Sequence, residues 1–117
     1  MAKSDRDVPA QADLDVGTLR ELFRYLLAWR ALHESSGIEE ITHDGRTWSI
    51  WDVSYLAEQL HLLPTQQRRA IELCLIHNKK EKEAAVMMGV SPTNPVAMYA
   101  TLGLQKLVDM VHNGTLA

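Results

Sequence analysis

Leu63-Pro64-Thr65-Gln66-Gln67-Arg68-Arg69-Ala70-Ile71-Glu72-Leu73, then Glu83-Ala84-Ala85-Val86-Met87-Met88-Gly89-Val90-Ser91, then a helix start at Asn94-Pro95, is the stretch that decides the fold. Pro64 stops whatever helix precedes it, and Pro64-Thr65 opens a new one whose apolar faces are Ala70, Ile71, Leu73, Cys74, Leu75 and Ile76. His77-Asn78-Lys79-Lys80 links it to a helix from about Glu81 to Met88. Gly89 supplies the positive φ of a tight turn, Val90 fills the space between helices, and the small Ala85 allows two helices to cross closely. Asn is a preferred N-cap and Pro is favoured at the first helical position. Asn94-Pro95 therefore starts a last helix, which runs to about His112 and closes at Asn113-Gly114. Helix, link, helix, Gly-Val-Ser turn, helix is the layout of a helix-turn-helix module.

Working outward toward the N-terminus, Asp52 can cap a helix with Val53, Leu56, Ala57, Leu60 and Leu63 on one stripe. Before it, Ile38–His43 and Arg46–Trp51 flank Asp44-Gly45, a strong hairpin signal. A two-residue turn there sets Ile41 opposite Trp48 and Ile38 opposite Trp51, and the tryptophans must then pack on helices, because a lone ribbon is marginal in water. Further back, a helix starts between Asp15 and Thr18, where Thr18-Leu19-Arg20-Glu21 has the capping-box pattern. Its stripe is Leu19, Leu22, Phe23, Leu26, Leu27 and Ala31, with Trp29 and Leu32 as surplus, and it ends at Ser35-Ser36-Gly37. A homodimer through this helix would bury the surplus. The expected fold class is mainly α: about five helices with one β-hairpin, divided into a mobile arm (1–12), an N-terminal part (13–63) and a helix-turn-helix part (64–117).

The composition excludes several functions. With 117 residues, 46% of them apolar, the chain can bury one core. No apolar run approaches the roughly 18 residues of a membrane span, and the polar start lacks the apolar run of a signal peptide. Cys74 is the single cysteine, so no internal disulfide can form, which suits a reducing cytoplasm. His33, His43, His61, His77, His112 and Cys74 show no metal-ligand spacing. There is no nucleophile–base arrangement and no Gly-rich phosphate loop, so neither an enzyme nor a cofactor is expected. The net charge is −3, unevenly spread. Residues 1–63 hold six Lys/Arg against eleven Asp/Glu, and residues 64–117 hold six against four. The cations Lys79, Lys80 and Lys82 crowd a helix start, where they oppose the dipole unless a phosphate or an acidic surface meets them.

Leu63-Pro64, Arg68, Ile71 and Leu73, then Glu83, Ala85, Met88, Gly89, Val90 and Ser91, then Val96, Leu104 and Leu107, together resemble region four, the promoter-recognition domain of bacterial sigma factors, and the related phage regulators. The resemblance implies that the Glu81–Met88 helix lies along the DNA backbone and that the last helix enters the major groove. Ser91 to Val96 is one residue longer than that family's usual spacing, with Pro92 and Pro95 inside it, so the last helix is re-aimed or starts late. Its core face is Val96, Ala100, Gly103, Leu104, Leu107 and Val111. The opposite face is the candidate recognition surface: Ala97, Met98, Thr101, Leu102, Gln105 and Lys106. Arg68, Lys79, Lys80 and Lys82 are the candidate backbone contacts. Thr101 and Gln105 can hydrogen-bond a base, but that face carries no Arg–guanine fork. The expected function is a small cytoplasmic transcription regulator, phage-encoded or from a mobile element, acting on duplex DNA, on RNA polymerase or on its sigma factor. The alternative is a protein-interaction module, an inhibitor or packaging type, whose Met98–Leu102 pair docks protein.

Overall fold

A computed structural model describes residues 14–91 and 95–115. Among these residues six α-helices and one antiparallel hairpin succeed one another: α1 (Val16–Arg24), α2 (Leu26–Ser36), β1 (Glu40–His43), β2 (Arg46–Ser49), α3 (Ile50–Glu58), α4 (Thr65–Ala70), α5 (Glu81–Met88) and α6 (Val96–His112). A 3-10 turn, Gln59–Leu62, follows α3, and a π-helical segment, Ile71–Ile76, continues α4. The expected arm at 1–12 lies outside the described residues.

The first helix departs from its expected form in two ways. Asp15, not Thr18, is the N-cap: its Oδ1 accepts from the Thr18 backbone N–H at 2.7 Å. The helix is also broken at Tyr25 (φ −100°, ψ 4°), which closes α1 and opens α2. The break shifts the helical phase. Leu19, Leu22, Phe23, Leu26 and Trp29 are buried, whereas Leu27, Ala31 and Leu32 face outward. Trp29 is thus core, and Leu32 alone of the two surplus residues stays exposed.

The hairpin turn forms as expected. Asp44 (φ 53°) and Gly45 (φ 73°) both take positive φ, as a type I′ turn requires, and Ile41 pairs with Trp48. Ile38 and Trp51 do not pair. The strands stop early because Ser49 caps α3, accepting from the Trp51 N–H at 3.1 Å, while the Ile50 N–H goes to the Glu39 carbonyl at 2.8 Å. Ser49 replaces Asp52 as the cap. Asp52 sits in the first turn instead, where its charge suits the helix dipole. Trp48 is buried, but Trp51 is half-exposed, its ring edge-on to His33 at 5.0 Å.

One core runs through all these elements. The π-helical segment lies at its centre, packed against α1, α5 and α6. Three neighbours explain why Ile71, Leu73, Leu75 and Ile76 are all buried, a pattern no single α-helical face gives. The segment ends at Asn78, which takes the left-handed conformation (φ 53°).

Candidate nucleic-acid interface

The helix-turn-helix is built as the residue types demand. Gly89 closes α5 with φ 75°; the Val90 N–H reaches the Ala85 carbonyl at 3.0 Å and the Gly89 N–H the Val86 carbonyl at 3.1 Å, a Schellman closure. Ala84 and Ala85 are fully buried, so α5 packs closely on its neighbours. Arg69 Nη2 donates to the Met87 carbonyl at 2.9 Å, satisfying one of the carbonyls that α5 leaves open at its C-terminal end.

The start of α6 is one residue later than expected. Pro95 is the capping position and Val96 the first helical residue; the proposed N-cap Asn94 is outside the described residues. The function of a cap is served by Glu81 across the turn. Its Oε2 accepts from the Ala97 N–H at 3.1 Å, placing a carboxylate at the positive end of α6. The neighbouring Glu83 Oε1 accepts from the Lys80 backbone N–H at 3.2 Å. These two acids offset the lysines' conflict with the α5 dipole.

The candidate residues fall as follows. Ala97, Met98, Thr101, Leu102, Gln105 and Lys106 are all exposed, and Val96, Ala100, Gly103, Leu104, Leu107 and Val111 are all buried. The face thus points away from the domain's own core, with Met98 58% and Leu102 47% exposed. Gln105 Nε2 donates to Asp109 Oδ1 at 2.9 Å one turn on. Lys79, Lys80 and Lys82 are exposed at the head of α5. Arg68 is half-buried on α4, its guanidinium 3.9 Å from the Glu72 carboxylate.

Two positions that shape this surface escaped the sequence reading. One is Glu81, whose partner is across the turn. The other is Arg20 on α1, whose Nη2 donates to Thr101 Oγ1 at 2.7 Å, on the outward face of α6. The pairs 81–97 and 20–101 are too far apart in the chain for any local pattern to flag them.

Among the described residues, no group of three or more His, Cys, Asp or Glu stands where it could hold a metal. No helix among them is long and apolar enough to cross a membrane.

A tight glycine turn between α5 and α6, with α4 bracing both and the outer face of α6 left open, defines a helix-turn-helix domain of the DNA-recognition class. The particular kind follows from comparison: the family model described as sigma-70, region 4 matches residues 54–107, a segment of the chain. The match begins inside α3, earlier than the Leu63 lead-in. No curated protein and no solved structure matches the chain.

Proposed function

We propose that this chain is a small transcription regulator that sets a region-4 helix-turn-helix against promoter DNA, and that it does so beside RNA polymerase. Region-4 domains bind both DNA and RNA polymerase. The observation that carries the reading is the open face of α6, every outward residue from Ala97 to Lys106 exposed, held at a fixed angle to α5 by the Gly89 turn and the Glu81–Ala97 bond. Lys79, Lys80 and Lys82 at the head of α5 give that face its sequence-independent attraction to phosphate.

The reading is tested by fluorescence anisotropy with labelled duplex at increasing salt. Binding is expected to be weak and salt-sensitive. Replacing all three lysines by Ala should flatten the slope of log K against log salt by about 2–3, at roughly 0.9 per phosphate contact. An unchanged slope counts against the lysines, and no wild-type binding even at low salt counts against the DNA role.

A second reading, a protein-docking module, is favoured by one observation: Met98 and Leu102 lie a turn apart, both exposed, on the face that would enter the groove.

A further inference from the structure

The recognition helix has no arginine of its own, and the fold brings one to it from outside the matched segment. Arg20 lies on α1, which runs antiparallel along α6 and is fastened to the helix-turn-helix at three points. His112 Nε2 donates to the Leu14 carbonyl at 2.8 Å just before α1, Arg20 bonds Thr101 at 2.7 Å in its middle, and Asn78 Nδ2 donates to the Arg24 carbonyl at 3.4 Å at its end. Leu19, Leu22 and Phe23, on the core-facing side of α1, are at most 1% exposed, so the helix cannot swing away without opening the core. Arg20 therefore has a fixed station beside the second turn of α6.

The polar geometry there is directional. Thr101 Oγ1 donates its single proton to the Ala97 carbonyl at 3.0 Å and accepts from Arg20. With its proton committed, Thr101 is a buttress for the guanidinium and not a free base-reading donor. Arg20 spends on that buttress one of the five N–H groups a guanidinium carries. No carboxylate among the described residues stands within ion-pair distance of it, and the outward face of α6 supplies only Lys106 as a cation of its own. A planar fork held in this way matches a pair of acceptors bidentately.

We infer that Arg20, oriented by Thr101, is the cation with which the recognition face grips duplex DNA, through a paired-acceptor group. Two parts of the duplex offer such a pair: the phosphate oxygens and the O6/N7 edge of guanine. The inference rests on the DNA reading above, and it places part of the DNA-binding surface on α1, outside the region-4 segment.

The test uses the full chain, with circular dichroism confirming that each variant is folded. Arg20→Ala should lower duplex affinity roughly tenfold, and Arg20→Lys and Thr101→Val should each lose part of that. If the acceptors are phosphate oxygens, Arg20→Ala flattens the salt slope by about 0.9 and Arg20→Lys restores it. If they belong to guanine, the slope holds, Arg20→Lys fails to rescue, and 7-deazaguanine in the duplex weakens the wild type but not Arg20→Ala. Either pattern supports the role. If the wild type binds and the triple lysine variant is weakened while Arg20→Ala binds as tightly as wild type, the DNA reading stands and the Arg20 inference falls. If the wild type binds no duplex at low salt, both fall.

Discussion

At the scale of single residues, Glu81 connects stability to reactivity. Its carboxylate holds the Ala97 N–H at the head of α6. Its charge, after burial, is also the second cause pushing the Cys74 thiol above its ordinary value. Glu81→Gln keeps an oxygen acceptor but loses the charge, and should cost about 1 kcal/mol in urea unfolding through the weakened cap. The same change should speed alkylation of Cys74 by iodoacetamide at mildly alkaline pH, since the thiolate is the reactive form. Unchanged alkylation would remove Glu81 as an electrostatic neighbour of the thiol. Asp15 is a second cap with a pH signature. The Thr18 backbone N–H, and then the Thr18 hydroxyl, hold its carboxyl below the ordinary 3.8. A lowered folded pKa means stability that is present above the unfolded value and lost as pH falls through the folded one. Asp15→Asn keeps a capping oxygen without the charge. Its small deficit relative to wild type should therefore appear near neutral pH and close below about pH 4, the unfolded carboxyl range. A deficit of equal size at every pH would show that charge is not what the cap supplies.

At the scale of elements, α6 and α4 approach closely over Gly103. A Cβ built there would stand 2.7 Å from Ile71 Cδ1 and 3.2 Å from Gln67 Cβ. Ile71 is fully buried and has little room to yield. Overpacking should outweigh the helix propensity gained, so Gly103→Ala should destabilise by about 1–2 kcal/mol. Adding Ile71→Val removes the nearest atom and should recover part of the loss; full additivity in the double-mutant cycle would argue against the clash. Gly103 also shows what the sequence makes legible. Its place on the core face of α6 follows from helical spacing, as do the open face from Ala97 to Lys106 and the α5 boundaries at Glu81 and Met88. Asp44-Gly45 and Gly89 were readable because positive φ has few residue solutions. What stayed hidden was decided by competition or by tertiary contact. Ser49 competed with Asp52, and Asp15 with Thr18, within a few residues of each other, and either member of each pair could have capped. The break at Tyr25 falls where the sequence carries no Gly or Pro, and it moved Trp29 into the core and Leu27 out of it. The π-helical turn depends on three packing partners that no local pattern announces.

At the scale of the whole molecule, a net charge of −3 opposes DNA at long range, so any attraction must come from the local field of the recognition side. That makes the outward face of α6 the surface on which the two functional readings part. Met98 and Leu102 sit there with about half their surface in water, clear of the core. Met98→Arg with Leu102→Arg should therefore leave the helical circular dichroism signal and the unfolding midpoint close to wild type, since exposed substitutions cost little. A collapsed helical signal would mean that the face is packed inward and that neither reading of it holds. With the fold intact, the variant gives opposite results for the two functions. If α6 lies in the groove, two added cations meet phosphate, duplex affinity rises, and the salt slope steepens by up to about 1.8, at roughly 0.9 per contact. If the pair anchors a protein such as RNA polymerase, the same change drives two charges into an apolar contact, and capture of the purified polymerase is lost while DNA affinity gains nothing useful. The region-4 match and the exposed lysines lead us to expect the first result. A folded variant that keeps its polymerase contact and shows no gain on DNA would move the working surface off α6, to the helix that carries Arg20 or to the edge where Trp51 meets His33.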